Sequence, residues 1–466
     1  METAARHGRG LLESIADYCR ASGMAESTFG RHAVNDGKFV ARLRDGARVT
    51  PETLDRVSRF MALRGVTVAS DPRELRRLIR VAEPVPVPPS EGTPSRNFRF
   101  FDNRQKYLLF VSTCGEKEMI ARRVGMELSH LHPHPPALRV FDAGMGDGTV
   151  LTRVMREMHR RFSTMPFFFV GKEISLEDVR LSLSKMADRL FEHPATVLVV
   201  TNMYYNEAPW LAPRAPDAAG ALLWHQCALQ GTTAHEFGEQ ISALEPFLAK
   251  HWQARHSPKT GNPIYERPVV LVLYREDFRF LLDEVIPRQG RTRADYDLVI
   301  ASQPYRARVP VEFKASRVIA PLARGLRPGG RLLGIHSCGR DPGLEIVRRI
   351  WPQENPFVSG RHDLLRAVRA ELGKDALHFN FNAYSDARAV FRYDMHTLPS
   401  EISASIGTST LFAAWNAAVY VAQIDDERLA RVLGERAYLD ATREVLQAHG
   451  GLWFLDESYV LSRKRG

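Results

Sequence analysis

Two short stretches hold the residue types and spacings that could do chemistry. In LRVFDAGMGDGTVLTRVMREM, Leu138 to Met158, an apolar run ends in Asp142, Ala143, Gly144, Met145, Gly146 and Gly148 before a helical pattern opens near Thr149. Glycines at such a place let the backbone turn sharply and come close to a ligand, and a helix start beyond them offers free N–H groups. A carboxylate at Asp142 suits a ligand with a cationic group. In YDLVIASQPYR, Tyr296 to Arg306, a second apolar run stops at Ser302, and Gln303, Pro304 and Tyr305 follow. A hydroxyl, an amide, a rigid turn and an aromatic ring thus sit at a strand end, where open α/β sheets place their chemistry.

Positioning both stretches requires a sheet. From Arg96 onward, strand-like apolar runs alternate with helical patterns, which predicts an α/β domain over residues 96–466 with no internal repeat. FFFVGKEIS ends a second run at Glu173, and TVLVVTNMYYNEAP and PVVLVLYREDFRFLL supply further runs ending near Asn202 and Asp277. LRPGGRLLGIHSCG supplies a turn and another strand, with nothing in it that points to a substrate.

The glycine spacing is not that of a dinucleotide fingerprint, because Thr149 stands where the third glycine of G-x-G-x-x-G would be. The D-x-G-x-G-x-G pattern resembles motif I of the class I S-adenosylmethionine-dependent methyltransferases. That resemblance implies a Rossmann-like sheet and S-adenosyl-L-methionine as cofactor. Asp142 and Gly144 are then expected beside the methionine moiety, with Gly146 and Gly148 at the bend around the ribose and Glu173 accepting from the ribose hydroxyls. Asn202 and Asp277 compete for the adenine side. Asp277 is favoured, which makes residues 203–267 an insertion whose helical pattern covers the substrate. In the family, N-P-P-Y or D-P-P-Y after the fourth strand binds a target nitrogen. SQPY keeps the Pro and Tyr of that motif, so Ser302 to Tyr305 are expected at the acceptor, with Ser302 accepting a hydrogen bond and Tyr305 stacking.

Residues 378–420 are rich in polar and aromatic groups. Tyr384, Tyr393, His396, Glu401 and Trp415 are candidates for the acceptor pocket, with His396 or Glu401 as the base. HLHPHPP, His130 to Pro136, reads as a proline-rich loop and not a metal site.

The chain has 466 residues, is 44% hydrophobic and 25% charged, and has no apolar run long enough to cross a bilayer. METAARHGRG has no apolar segment behind it, so a cytoplasmic address is expected. The four cysteines are far apart and form no C-x-x-C pair, which argues against a zinc knuckle or a disulfide framework. Of a net charge of +10, residues 1–80 hold +5, with 15 Lys and Arg against 10 Asp and Glu. Residues 1–66 read as four or so short helices and resemble the Cro and lambda-repressor type of helix-turn-helix, with helices at about 25–34 and 37–44. That resemblance places Arg42 and Arg44 toward DNA and Arg31 and Lys38 on phosphates. Residues 67–95 are a helical spacer and a proline-rich linker, VAEPVPVPPSEGTPS.

Three functions are compatible with these features. The favoured one is methyl transfer to a nitrogen on a small molecule. The others are base methylation of DNA or RNA delivered by the N-terminal helices, and cofactor sensing without turnover.

Overall fold

The computed structural model describes residues 104–258, 262–396, 406–434 and 436–465, and in the N-terminal part residues 24–34 and 36–44 with isolated positions between 12 and 20 and between 53 and 60. The chain divides into two compact units, Met1–Thr93 and Pro94–Gly466.

In the first unit, helices Glu26–Val34 and Phe39–Arg44 flank a turn at Asp36 and Gly37. Phe29, Phe39, Val40 and Leu43 are buried with Ile15, Tyr18 and Val57. Gly30 permits the close return of the chain, because a Cβ there would stand 2.4 Å from the Asp36 carbonyl oxygen. The linker expected at 81–95 lies outside the described residues.

The second unit is built on a ten-stranded sheet. Its strands are β1 (Leu138–Asp142), β2 (Phe167–Lys172), β3 (Thr196–Thr201), β4 (Leu223–Leu229), β7 (Val269–Arg275), β8 (Tyr296–Ser302), β9 (Leu326–Ser337), β10 (Phe379–Asn382), β11 (Val390–Asp394) and β12 (Trp453–Arg463). The order is β10-β12-β9-β8-β1-β2-β3-β7-β4, with β11 on β12; a separate hairpin pairs β5 (Ala254–His256) with β6 (Pro263–Tyr265). β3, β2, β1, β8 and β9 run parallel, and β12 and β7 flank them antiparallel. This is the α/β, Rossmann-like sheet expected from the sequence.

The central strands are apolar throughout because both faces are covered. Side chains alternate between two cores: Val140, Phe169, Leu198 and Ile300 enter one, and Phe141, Phe168, Val199 and Val299 enter the other. On one face the helix Thr149–Arg161 contributes Val150, Leu151, Val154, Met155 and Met158 and turns its arginines outward. A third core joins the helices Arg104–Thr113 and Thr408–Val421 to Tyr393 and Phe454.

Neighbouring connections diverge at β1, which lies between β2 and β8, so ligands are expected beyond the carboxyl ends of β1 and β8. One glycine is decisive there. Gly334 of β9 pairs with Tyr459 of β12, and a Cβ on it would stand 2.1 Å from the Tyr459 ring. Gly334→Ala is expected to destabilise the protein by about 3 kcal/mol or more, through overpacking between two fixed strands. A urea midpoint unchanged from wild type would show that the ring is free to move.

Candidate functional site

The carboxyl ends of the parallel strands bring Asp142, Glu173 and Ser302–Tyr305 to one edge of the sheet. The glycine loop is held by side chains from both sides. Asp142 is buried and its Oδ1 accepts from the Gly144 N–H at 3.1 Å. Glu173 accepts from Gly146 at 2.9 Å through Oε2, and from Ile174 at 2.8 Å and Ser175 at 2.9 Å through Oε1. Gly146 and Gly148 have φ of +54° and +77°, the left-handed region that favours glycine. Beyond the chain's own neighbours, a Cβ on Gly144 would meet only the Ser302 carbonyl oxygen at 3.8 Å, so that side of the loop is open. Ala143 and Met145 are buried and serve packing, Met145 against Gly171.

Asp147, also in the loop, is tied into the fold by Lys185 at 2.6 Å and by the Thr149 N–H at 3.3 Å. Burial pushes its carboxyl up, and the hydrogen bonds from Lys185 and Thr149 more than offset this. Asp142 lacks so strong a partner. Burial pushes it up to about 6, against the pull of the Gly144 N–H and Lys117 and with the help of the Glu173 charge.

The segment before β1 supplies groups that the sequence reading passed over. Tyr107, in the helix Arg104–Thr113, places its hydroxyl 3.4 Å from Asp147 Oδ1 above the glycine loop. Glu116 and Lys117 open the helix Glu116–Leu128 at the same edge. Burial alone pulls the Lys117 ammonium down, but Glu116, Asp147 and Asp142 around it hold it charged. The only advance sign was a glycine followed by EKE at the start of an amphipathic helix.

The adenine-side expectation needs correction. β7 runs antiparallel to β3, pairing Val197 with Tyr274, so Asp277 lies at the opposite edge of the sheet from Asp142 and Glu173. There it is bound by Arg275, 3.0 Å from Nε to Oδ1. Asn202 is at the correct edge, but its amide is spent on the chain itself: Nδ2 donates to the Arg267 carbonyl and Oδ1 accepts from the Val269 N–H, both at 2.8 Å. The insertion expected at 203–267 is not simply a cover either. It adds β4 to the sheet beside β7, and its helix Ala234–Ser242 packs on the helix Met186–Glu192. Trp252 does reach the edge, donating from Nε1 to the Glu173 carbonyl at 3.1 Å.

On the β8 side, Gln303 adopts φ +48°, an uncommon value for a non-glycine residue. Three hydrogen bonds from its Nε2 hold it: to Ser337 Oγ at 3.0 Å and to Glu116 Oε1 and Asp456 Oδ1 at 3.3 Å. Glu116 and Asp456 are both buried, and burial with the neighbouring Glu116 charge raises Asp456 well above the usual carboxylate range. Asp456 Oδ2 and Ser302 Oγ are buried without a hydrogen-bond partner. Pro304 is buried and its carbonyl accepts from Tyr205 Oη at 2.8 Å.

Tyr305 does not present a free stacking ring. Its hydroxyl lies 2.6 Å from His336 Nδ1 and 3.2 Å from Tyr459 Oη, and Lys314 Nζ is 5.1 Å from its ring centre. His336 Nε2 is 2.8 Å from Glu457 Oε1, and Glu457 is bound by Arg361 at 2.6 Å. His336 and Glu457 are missed in the sequence because they are 121 residues apart; the antiparallel register of β9 and β12 pairs them directly.

Of the two expected bases, His396 does not sit here. His396 is exposed past the end of β11, where its N–H donates to the Thr113 carbonyl at 3.0 Å. Glu401 lies outside the described residues. Tyr393 and Trp415 are buried in the third core, Tyr393 stacked on Phe454 and Trp415 near Trp351 and Tyr438. Tyr384 carries the Arg388 guanidinium 3.9 Å from its ring centre.

In the first unit Arg31, Lys38, Arg42 and Arg44 are exposed. Arg44 pairs with Glu26 at 2.9 Å and Arg42 pairs with Asp36. In the HLHPHPP loop, His134 meets Arg327 at 2.7 Å and His132 meets Arg465 at 2.6 Å. Among the described residues no cluster of His, Cys, Asp or Glu is arranged for a metal ion, and no helix is long and apolar enough to cross a membrane.

No family model matches the chain, and neither does any curated protein. Solved structures do. A geranyl diphosphate methyltransferase in complex with GPP and sinefungin is 13% identical over 73% of this chain and 77% of its own, with a TM-score of 0.28. The same enzyme in complex with SAM is 12% identical over 75% of this chain and 90% of its own, with a TM-score of 0.28. PKMT2 from Rickettsia typhi in complex with AdoHcy is 9% identical over 74% of this chain and 52% of its own, with a TM-score of 0.25. Likenesses this loose assign neither cofactor nor acceptor to this chain, and those rest on its own residues.

Proposed function

We propose that the chain is an S-adenosylmethionine-dependent methyltransferase acting on a nitrogen of a small molecule. The observation that carries the reading is the glycine loop at the β1 and β8 ends, flanked by Asp142 and Glu173 and open beside Gly144. The donor set fits the cofactor. Asp142 would hold the methionyl ammonium, Lys117 the methionyl carboxylate and Glu173 the ribose, and the missing Cβ of Gly144 would permit close approach. When bound, the cofactor supplies an electrophilic methyl group. The chain's part is to orient the acceptor and keep water out.

The acceptor side supports a nitrogen. Glu116 and Asp456 converge on Gln303, which sets two carboxyl groups at the place proposed for an amine of the acceptor. Asp456 Oδ2 and Ser302 Oγ remain to receive hydrogen bonds from it. Isotopically methyl-labelled cofactor incubated with the protein and a cell extract tests this. Label in small molecules is expected. Label released by nuclease would make the substrate a nucleic acid and the N-terminal helices its delivery device.

Cofactor affinity is expected to depend on pH. Asp142, raised to about 6, is anionic above that pH and neutral below it. Its charge costs folding stability above about pH 6, none of that cost is felt below the ordinary carboxylate range near 4, and a bound ammonium offsets it. S-adenosylhomocysteine should therefore bind less tightly below pH 6, approaching about tenfold per pH unit. Constant affinity between pH 5 and 8 would place the ammonium elsewhere.

A further inference from the structure

We infer that Tyr305, His336 and Glu457 form a proton relay that removes the proton from the acceptor nitrogen, with Tyr305 Oη as the group that touches the acceptor. The inference rests on the methyltransferase reading above. Its geometry is that of an unbroken hydrogen-bonded chain: Tyr305 Oη to His336 Nδ1 at 2.6 Å, and His336 Nε2 to Glu457 Oε1 at 2.8 Å. His336 and Glu457 are 5% and 3% exposed, so the chain is closed to water at its far end. Glu457 is kept as the anion by Arg361, whose backbone N–H and guanidinium donate to it at 2.7 and 2.6 Å.

Each hydrogen has one consistent place. Glu457 accepts from His336 Nε2–H, which fixes the tautomer, and Nδ1 is left to accept from the Tyr305 hydroxyl. With the Tyr305 proton directed at His336 Nδ1, the Tyr459 hydroxyl 3.2 Å away is free to donate to Tyr305 Oη, which leaves that oxygen a second lone pair. The near end opens on a cleft lined by Gln303, Tyr305, Lys314, His336, Ser337 and Gln423, with a free volume of about 10 Å³. That is the space of about one water, or of the tip of an acceptor.

The step balances. The acceptor nitrogen gains a bond to the methyl carbon as the sulfur–methyl bond breaks, with its electron pair left on sulfur, so one proton must leave the nitrogen. That proton passes to Tyr305 Oη while the proton of Tyr305 passes to His336 Nδ1. The resulting imidazolium is paired with Glu457. The charged and titratable groups facing the chain are Lys314 over the Tyr305 ring, Tyr459 beside it, and Arg361 behind Glu457. Tyr305 is the catalytic residue of this set, and His336 and Glu457 act through it.

The test uses the full chain, methyl-labelled cofactor and a cell extract as the source of acceptor, with S-adenosylhomocysteine binding measured alongside. Tyr305→Phe keeps the ring and removes only the hydroxyl. It is expected to bind S-adenosylhomocysteine like wild type and to transfer label about 100-fold more slowly. His336→Ala should lose a similar factor, regain rate with added imidazole, and rise about tenfold per pH unit as the acceptor comes to ionise unaided. A purely structural histidine would show neither the rescue nor the steep pH profile. Tyr305→Phe transferring at the wild-type rate at every pH would overturn the relay and leave the methyltransferase reading intact. Wild-type protein that fails to bind S-adenosylhomocysteine would remove that reading and the relay with it. Wild-type protein that binds it and labels nothing would overturn the methyltransferase reading, in favour of cofactor sensing, and the relay with it.

Discussion

Glu173→Gln should lower affinity for S-adenosylhomocysteine by roughly 100-fold, about 2.7 kcal/mol. Three backbone N–H groups, from Gly146, Ile174 and Ser175, converge on this carboxylate. An amide has one acceptor oxygen, so one edge of Gln would set an NH2 group against an N–H donor. The Gly146 contact fixes the glycine loop to the end of β2, and hydrogen bonds to a charged acceptor contribute about 1.5–3 kcal/mol each. Both the loop anchor and the proposed ribose contact are thus lost together. Calorimetric titration of the variant measures it, and circular dichroism at the wild-type melting temperature checks that the sheet survives. Affinity within twofold of wild type would mean that Glu173 closes the loop without contributing to the site.

The second large effect concerns stability. Arg361 is 3% exposed and donates to Glu457, to the Ala383 and Tyr384 carbonyls and to Asp386. Arg361→Ala leaves Glu457 charged and buried with His336 as its remaining side-chain partner, and removing one member of a buried pair costs about 3–5 kcal/mol. In the wild type, burial pushes the Glu457 carboxyl up, but His336 and Arg361 outweigh it and hold it down at about 2. With its folded value below the ordinary one near 4.3, Glu457 stabilises the fold above that pH and loses the contribution as pH falls toward 2. In the variant the carboxyl can take up a proton as pH falls. The stability gap between wild type and Arg361→Ala should therefore be full at pH 7 and narrow below about pH 4. Urea denaturation at both pH values decides it. A gap below 1 kcal/mol at pH 7 would mean that Glu457 is held by its other contacts.

What was legible in the sequence was whatever is local. The strand, glycine loop and helix over Leu138–Met158 are contiguous, and their hydrophobic period and glycine placement specify both the turn and its position at a strand end. The FFFVGK run and the Glu173 that follows it were readable for the same reason. Strand direction was not. The run VVLVLYR has the composition of a buried strand whichever way it points, and only its pairing with β3 shows that Asp277 faces the wrong edge. Composition also misled at Tyr393 and Trp415, which are buried for packing, and at His396, which is exposed. His336 sat at the end of an apolar run with nothing local to suggest a role, because its partners come from the loop after β8 and from β12. Sites made of strand ends distant in sequence emerge only when the order and register of the sheet are known.

The central claim is that the glycine loop between Asp142 and Glu173 binds S-adenosylmethionine. Calorimetric titration of the full chain with S-adenosylhomocysteine at pH 7.5 tests it most directly. One site per chain is expected, with micromolar affinity, about 8 kcal/mol, weakened at least tenfold in Glu173→Gln and below pH 6. No binding by correctly folded wild-type protein, or equal binding by Glu173→Gln at every pH, would contradict it.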